Sequence, residues 1–285
     1  MRYLILGCNG MVGHTVSLFL KERGHDVIGF ARRKSPFVET IIGDAFDIKK
    51  LENVICGGQY DCVVNCIGIL NQFAESNKSK AVFLNAYLPH FLEDITSEQK
   101  RTQVIHISTD CVFSGKRGGY TESDFRDGES FYDRSKALGE IENDKDFTLR
   151  TSIIGSDLNS NGIGLFNWFM CQQGTIYGYK NVIWTGVTTI ELAKCIETIA
   201  KERINGLYNV VPKVSISKYD LLKLCNEYIK GGKNEIIPVD EPVLDKSLVN
   251  ARSGLSFTVS NYPEMIEDLA GWVRERKHLY PHYAI

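Results

Sequence analysis

Short apolar runs alternate with longer amphipathic segments along the first half of the chain. The apolar runs predict strands at residues 3–6, 26–30, 39–42, 62–66, 103–108 and 148–150. The segments between them have the spacing of amphipathic helices at residues 11–23, 48–56, 78–97 and 132–143. Strands that alternate with helices in this way are typical of parallel sheets with crossover helices. The pattern therefore predicts an α/β fold built on a doubly wound parallel sheet.

The alternation changes after Arg150. Residues 155–178 are rich in glycine, asparagine and aromatic side chains, and predicted helices follow at 189–201, 217–229 and 263–277, with a predicted strand at 206–211. We predict that residues 1–152 form the sheet domain and that residues 153–285 mainly form a smaller, discontinuous lobe. A segment near residues 180–205 is expected to return to the first domain. Such a lobe would cover the open edge of the sheet, where ligands bind in doubly wound folds.

The composition is that of a globular protein, since 43% of the 285 residues are hydrophobic and 24% are charged. The formal net charge of −2 gives no electrostatic reason to expect a nucleic-acid partner. No apolar stretch approaches the ~20 residues that a membrane span requires, so a cytoplasmic protein without a membrane partner is expected. The 8 cysteines form no C-x-x-C pair and are expected to be reduced thiols, and no metal site is predicted.

A glycine-rich loop, Gly7-x-x-Gly10-x-x-Gly13, connects the first predicted strand to the first predicted helix. Glycine allows the chain to turn tightly and lets a phosphate approach the backbone, and the amides at a helix N-terminus attract a pyrophosphate. This placement predicts a dinucleotide site in a Rossmann-type domain. The residues expected to contact the dinucleotide in this loop are Gly7, Asn9, Gly10, Met11, Val12 and Gly13.

Three cations follow the second predicted strand, at the place where an NAD enzyme usually has an acidic residue for the ribose 2′-hydroxyl. Arg32, Arg33 and Lys34 instead suit a 2′-phosphate, which predicts NADPH as the cofactor, with NADH as the alternative. A basic turn that contacts only solvent is the other interpretation.

Further cofactor contacts are expected at the ends of the later strands. Asp44 and Ala45 would meet the adenine, and Cys66, Ile67 and Gly68 would pass over the nicotinamide ribose. Ile107, near the end of the fifth predicted strand, is also expected to contact the cofactor. Asn85 either bends its helix and holds a water for proton relay, or has a polar role in the core.

Tyr132 and Lys136 stand one helical turn apart, which places a phenol and an ammonium group on one helix face. A nearby cation lowers the pKa of a tyrosine from its usual value of about 10, and so makes Tyr132 a proton donor usable near neutral pH. The hydroxyl of Thr109 would orient a carbonyl oxygen, while Lys136 would also bind the nicotinamide ribose. We predict that Thr109, Tyr132 and Lys136 are the catalytic residues of a carbonyl reductase. The alternative is that Thr109 only ends a strand, that Tyr132 is a half-buried aromatic residue, and that Lys136 is a surface cation.

These motifs resemble the extended short-chain dehydrogenase/reductase superfamily, and within it the dTDP-4-dehydrorhamnose reductase (RmlD-like) sugar-nucleotide reductases. The resemblance rests on Ile107-Ser108-Thr109-Asp110-Cys111-Val112-Phe113, on Tyr132-x-x-Ser135-Lys136 with Gly139-Glu140, and on Gly206-Leu207-Tyr208-Asn209. It implies reduction of the C4 keto group of a nucleotide-activated 6-deoxy-4-ketohexose with NADPH or NADH, in the synthesis of deoxysugars for surface polysaccharides. It also implies that Asp110 touches the sugar.

The resemblance is weaker around the sugar. The family usually has an aromatic residue at Cys111, a glycine at Asp133 and a tryptophan at Ile153, so the walls around the sugar differ here. Trp184 is expected either to stack on a base or sugar or to pack inside the lobe. Lys246 and Arg252 are expected to neutralise the diphosphate of a nucleotide sugar carried by dTDP, UDP, GDP or CDP.

Two other functions fit the same residues. One is a non-catalytic dinucleotide-binding regulator, because the regulatory subunit of methionine adenosyltransferase resembles this family. The other is a sugar-nucleotide epimerase or dehydratase that recycles a tightly held NAD, which the basic turn after the second strand disfavours and Asp110 favours. A homodimer is one of the assembly states that the sequence allows.

Overall fold

A parallel sheet of seven strands forms the centre of the molecule. The computed structural model describes residues 1–283. Its strands are β1 Arg2–Leu6, β2 Asp26–Ala31, β3 Glu39–Ile42, β4 Cys62–Asn65, β5 Gln103–Ser108, β6 Phe147–Arg150, β7 Ile153–Ile154, β8 Thr175–Tyr179, β9 Val182–Trp184, β10 Val187–Thr188, β11 Gly206–Asn209, β12 Ile216–Ser217, β13 Glu235–Val239 and β14 Leu244–Asp245. The order across the large sheet is β11-β6-β5-β4-β1-β2-β3. The chain thus winds outward from β1 in both directions, and the predicted doubly wound parallel sheet is confirmed.

Helices cover both faces of this sheet. They are α1 Met11–Glu22, α2 Ile48–Gly57, α3 Asn71–Ser76, α4 Lys78–Ala81, α5 Leu88–Thr96, α6 Phe131–Leu138, α7 Leu165–Cys171, α8 Thr189–Glu202, α9 Lys218–Tyr228 and α10 Tyr262–Glu275. Side chains of successive strand residues point to opposite faces. In β1, Tyr3 and Ile5 pack in the apolar cluster that also contains α8 and α10, while Leu4 and Leu6 pack in the cluster with α2 and α5. Both faces are apolar, as burial between two helical layers requires.

One predicted helix, residues 78–97, is not continuous. Between α4 and α5 the chain forms a π-helix at Val82–Tyr87, with Asn85 inside it. The Asn85 side chain is fully buried and bonds both the backbone N–H and the backbone carbonyl of Ile69, each at 2.9 Å. This contact with a distant loop favours the wider turn, so the predicted helix 78–97 is interrupted around Asn85.

The second half of the chain supplies small sheets and also rejoins the large one. β8 pairs with β13, while β9 pairs with β12 and β14. α8 packs against α1, and β11 pairs with β6 at the edge of the large sheet. The segment that returns to the large sheet therefore extends to Asn209, beyond the predicted 180–205.

A buried ionic network holds α6 against the sheet. Glu140, just after α6, accepts hydrogen bonds from Arg150 Nε at 2.7 Å and Arg150 Nη2 at 2.6 Å. The same carboxylate accepts from Arg126 Nε and from the Ser108 hydroxyl, each at 2.7 Å. Burial by itself would raise the pKa of Glu140, but these donors hold the pKa below its ordinary value. The network explains why α6 ends at Leu138 and does not reach residue 143, since the chain must turn inward to place Glu140 beside Arg150.

Replacing this carboxylate is expected to destabilise the protein. Glu140→Gln leaves the fully buried guanidinium of Arg150 without a counter-charge, which should lower the free energy of unfolding by about 3–5 kcal/mol. Urea unfolding at neutral pH measures the loss. Glu142→Gln is the matched control, because Glu142 pairs with Arg252 at the surface and its loss should cost no more than about 1 kcal/mol. Equal losses in the two variants would contradict the assignment.

Candidate functional site

The loop between β1 and α1 is built to receive a phosphate group. Gly7 has a φ of +79°, and a Cβ on Gly13 would lie 2.1 Å from the Gly7 carbonyl oxygen. Neither position therefore accepts a side chain. Gly10 is the N-cap of α1 and has no side chain to occupy the first amides of the helix. These open amides and the close glycine packing fit the pyrophosphate of a dinucleotide.

The basic turn lies beside this loop. Asn9 Nδ2 donates to the Arg33 carbonyl oxygen at 2.8 Å and so ties the glycine loop to the end of β2. The Oδ1 atom of Asn9 is buried without a hydrogen-bond partner in the described chain, and thus offers an acceptor. Arg32, Arg33 and Lys34 are all exposed, and the ion pairs found among residues 1–283 include none of the three. Their charges are free to meet an anion.

Asp44 and Ala45 follow β3 at the same edge. The Asp44 carboxylate is exposed and accepts from the backbone N–H of Phe46 at 3.1 Å. The Ala45 side chain is buried in the core cluster with α2, so only its backbone faces the expected position of an adenine.

The loop after β4 lies against the glycine loop. A Cβ on Gly7 would meet the Cys66 carbonyl oxygen at 3.3 Å, while Gly68 is exposed. Asn85 fixes this loop through Ile69 and also donates to the Ser135 hydroxyl of α6 at 3.0 Å. Both amide hydrogens of Asn85 are therefore used by the protein. Of the two predicted roles of Asn85, these contacts favour the polar role in the core, because the side chain connects the loop after β4 to α6.

The structure brings the three predicted catalytic residues together. Thr109 follows β5, accepts from the Cys111 backbone N–H at 3.1 Å and donates to Asp110 Oδ1 at 3.1 Å. Tyr132 and Lys136 project from α6, whose start is fixed by a capping box. Only 9% of Thr109, 6% of Tyr132 and 5% of Lys136 is exposed, so the reacting groups are almost completely removed from water.

Burial changes the acid-base properties of this pair in an unexpected direction. It raises the pKa of Tyr132, Cys111 and Asp110 add to the increase, and a hydrogen bond with Thr109 opposes it only in part. The prediction that Lys136 lowers the pKa of Tyr132 was wrong, because burial dominates and raises that pKa. Lys136 Nζ donates to the Ile107 carbonyl oxygen at 2.7 Å and lies 3.3 Å from His106 Nε2. Tyr132 is consequently a protonated phenol at neutral pH.

The amine of Lys136 is affected in the opposite sense. Burial lowers the pKa of Lys136 to about 8, and the charge of Glu140 opposes the decrease. The site therefore holds a neutral acid and, one helical turn further along α6, an amine that titrates close to physiological pH. Such a pair can deliver and recover a proton.

Asp110 and Cys111 form one wall beside these groups. Asp110 is buried and accepts a hydrogen bond from the Thr109 hydroxyl. Burial raises the pKa of the Cys111 thiol to about 12, so the thiol stays protonated and is a poor nucleophile. All eight cysteines are free thiols.

The predicted substrate residues are distributed over different places. Ile153 is half-buried in β7, and Lys246 packs against Gly115 with its charge acting on Cys111, so it is near the reacting groups. Trp184 is 4% exposed and contacts Tyr262 and the ammonium group of Lys218, which indicates core packing and not ligand stacking.

Arg252 does not reach the site. It pairs with Glu142, and its guanidinium would lie 3.2 Å from a Cβ on Gly206, the first residue of β11. Gly206 is at the amino end of its strand, whereas Thr109 follows the carboxyl end of β5. The expectation that Arg252 neutralises a diphosphate was wrong, because Arg252 lies at the amino ends of the strands and the reacting groups lie at their carboxyl ends.

Lys218 was missed by the sequence analysis. It is half-buried in the first turn of α9, its Nζ lies 4.7 Å from the Trp184 ring, and its charge interacts with Asp110 and Cys111. Burial lowers the pKa of Lys218 to about 8, and Asp110 opposes the decrease. A lysine in the first turn of a helix is electrostatically unfavourable, and that was the signal available in the sequence.

Neither a candidate metal cluster nor a membrane-spanning helix occurs among residues 1–283. No group of three or more histidine, cysteine, aspartate or glutamate side chains has an arrangement suited to a metal ion. The same residues contain no helix with the length and apolar character needed to cross a bilayer.

Comparison with known proteins agrees with this architecture. The probable low-salt glycan biosynthesis reductase Agl14 of Haloferax volcanii is 31% identical over 144 residues, which cover 49% of this chain and 48% of that protein. The chain thus spans about half the length of the curated relatives it matches.

Solved structures match over a greater length. A hypothetical dTDP-4-dehydrorhamnose reductase from Sulfolobus tokodaii has a TM-score of 0.76 and 26% identity, with 92% of this chain and 98% of that chain covered. A dTDP-4-dehydrorhamnose reductase from Bacillus anthracis, solved in complex with NADP, has a TM-score of 0.79 and 21% identity, with 94% and 98% covered, and shows the shared fold. Residues 1–249 match the model of the family described as RmlD substrate binding domain, and the chain therefore belongs to that family.

Proposed function

We propose that this protein is an NADPH-dependent reductase of the C4 keto group of a nucleotide-activated 6-deoxy-4-ketohexose. The observation that carries the proposal is the buried group of Thr109, Tyr132 and Lys136 at the carboxyl edge of the sheet. β1, β4 and β5 are neighbours in that sheet. The glycine loop, the loop after β4 and Thr109 therefore lie at three adjacent strand ends. A dinucleotide held by the first loop would extend toward the other two.

The chemistry divides between the cofactor and the chain. The nicotinamide supplies hydride when it is bound. Thr109 positions the carbonyl oxygen, and Tyr132 donates the phenolic proton to that oxygen as it gains negative charge. Lys136 can then return a proton to the Tyr132 oxygen, because the pKa of Lys136 is about 8 and the pKa of Tyr132 is raised. Burial excludes the water that would compete for this proton.

The relatives support the substrate class. The Haloferax volcanii relative is named a glycan biosynthesis reductase, and the Sulfolobus tokodaii structure is named for reduction of a dTDP-linked 4-dehydro sugar. Lys246 and Lys218 place two positive charges near Cys111. These charges would attract the diphosphate of a nucleotide sugar.

The first test is turnover. Purified protein is mixed with NADPH and a panel of nucleotide-linked 4-keto-6-deoxyhexoses, and oxidation is followed by the absorbance of reduced nicotinamide. Oxidation with at least one sugar is expected. Tight NADPH binding without turnover on any sugar would favour the regulator, and NAD that remains bound through purification would favour an epimerase or dehydratase.

Loss of the phenolic proton should slow the reaction strongly. Tyr132→Phe is expected to lower kcat by about 10²–10⁴-fold, because the carbonyl oxygen then has no positioned acid. Steady-state kinetics measures the effect. Tyr60→Phe is the control, since Tyr60 is equally buried but precedes β4 at the amino edge of the sheet. A Tyr132→Phe enzyme with unchanged kcat would remove Tyr132 from the mechanism.

The basic turn should determine the choice of cofactor. Arg32→Ala with Arg33→Ala is expected to weaken NADPH binding by about 10- to 100-fold and to leave NADH binding nearly unchanged, because only NADPH carries the 2′-phosphate. Titration of reduced-nicotinamide fluorescence measures both dissociation constants. Lys49→Ala, an exposed cation on α2, controls for net charge. Equal losses for the two cofactors would refute the assignment of the turn to the 2′-phosphate.

A further inference from the structure

His106 is a buried titratable residue that the proposed reaction does not use. It lies in β5, where it pairs with Asn65 of β4 on one side and Thr148 of β6 on the other. No part of its surface is exposed. Both ring nitrogens nevertheless have polar neighbours, with Asn65 Nδ2 at 3.2 Å from Nδ1 and Lys136 Nζ at 3.3 Å from Nε2.

The orientation of the Asn65 amide is determined by the backbone. The Ile67 N–H donates to Asn65 Oδ1 at 3.1 Å, and a backbone N–H can only donate. The oxygen of the Asn65 amide must therefore face Ile67, so the NH₂ group faces His106. Nδ1 of His106 consequently accepts this hydrogen bond and carries no proton.

A neutral imidazole has a single N–H, which in His106 is on Nε2 because Nδ1 accepts the hydrogen bond from Asn65. Burial lowers the pKa of His106 well below its ordinary value, so the ring is neutral. The Nε2–H then points at Lys136 Nζ. An ammonium group at this position would place N–H against N–H, whereas a neutral amine has a lone pair that accepts the Nε2 hydrogen.

We propose that Asn65 and His106 form a fixed hydrogen-bond chain that presents an N–H donor to Lys136 and so favours the neutral amine of that lysine. His106 is a positioning residue in this arrangement, because it touches neither substrate nor cofactor. The consequence for catalysis rests on the proposed function: the ammonium form of Lys136 becomes a stronger acid, and so gives up its proton more readily once the Tyr132 oxygen has lost its own.

Two other charged groups lie near the hydrogen bonds that join Asn65, His106 and Lys136. Glu140, from the end of α6, favours the ammonium form of Lys136, but its carboxylate is bound by Arg150, Arg126 and Ser108. His90, from α5, acts on His106 as a positive charge and disfavours an imidazolium. Neither group supplies an acceptor to Nε2.

The position of the ring proton gives a test that needs no enzyme activity. Side-chain nitrogen chemical shifts of isotopically labelled histidine distinguish Nε2–H, Nδ1–H and imidazolium forms. The Nε2–H form is expected for His106 at neutral pH. A proton on Nδ1, or on both nitrogens, would overturn the proposal.

A near-isosteric change at Asn65 should move that proton. Asn65→Asp keeps an acceptor for the Ile67 N–H but replaces the donor facing Nδ1 with a second acceptor. Nδ1 of His106 is then expected to carry a proton in this variant. An Nε2–H form that persists in Asn65→Asp would show that Asn65 does not control the ring, and would contradict the proposal.

Removal of the donor should strengthen the ammonium form. In His106→Gln the side-chain oxygen can face Lys136, so the pKa of Lys136 is expected to rise by about 1, as followed by the chemical shifts of labelled lysine. Gln103→Met, a buried substitution in the same strand that does not face Lys136, controls for loss of packing. An unchanged or lower pKa of Lys136 in His106→Gln, or an equal change in the control, would overturn the proposal.

Enzyme kinetics tests whether the hydrogen bonds of Asn65 and His106 affect the proposed reaction. In His106→Gln, the limb of the kcat/KM pH profile that reports Lys136 is expected to shift upward with the pKa of the lysine. If no 4-keto sugar is reduced, the proposed function fails, while the histidine and lysine titrations still decide whether Asn65 and His106 present an N–H donor to Lys136.

Discussion

The ion pair between Glu140 and Arg150 is the constraint on which the site depends. α6 carries both Tyr132 and Lys136, but it is a short helix of eight residues and cannot be stable without tertiary contacts. Glu140 fixes its end to β5 and β6 through Ser108 and Arg150. The charges are buried together, so the pair specifies one position of the helix and tolerates the loss of neither partner.

Close packing also fixes α6 relative to the loop on the cofactor side of the site. A Cβ on Gly139 would lie 1.9 Å from the Asn85 carbonyl oxygen, so α6 and the π-helix are in direct backbone contact. Asn85 in turn holds the loop that follows β4. The proton donor, the amine and the loop at the expected nicotinamide position are therefore parts of one rigid arrangement.

Removal from water explains the electrostatics of the site better than any single pair of charges. Burial raises the pKa of Tyr132 and lowers the pKa of Lys136, because it disfavours the charged form of each group. A site of this kind keeps its acid protonated until the carbonyl oxygen becomes negative. The helical spacing of the two residues is necessary for this arrangement, but the burial around them sets their charges.

The sequence by itself determined the parts that depend on local structure. Alternating patterns predicted the strands of the large sheet within one or two residues, and the glycine loop, the basic turn and the Tyr132–Lys136 spacing each lie on the element predicted for them. Local periodicity and turn chemistry are properties of neighbouring residues, so they can be read without the fold.

Only the tertiary structure decided which distant segments meet. Arg252 and Lys246 are close in sequence, yet one lies at the amino edge of the sheet and the other near the reacting groups. Lys218, His106 and the break in the helix at Asn85 depend on contacts across many intervening residues. The charge of Tyr132 and Lys136 belongs to the same group, because desolvation is produced by the whole packed environment and has no signature in the spacing of two residues.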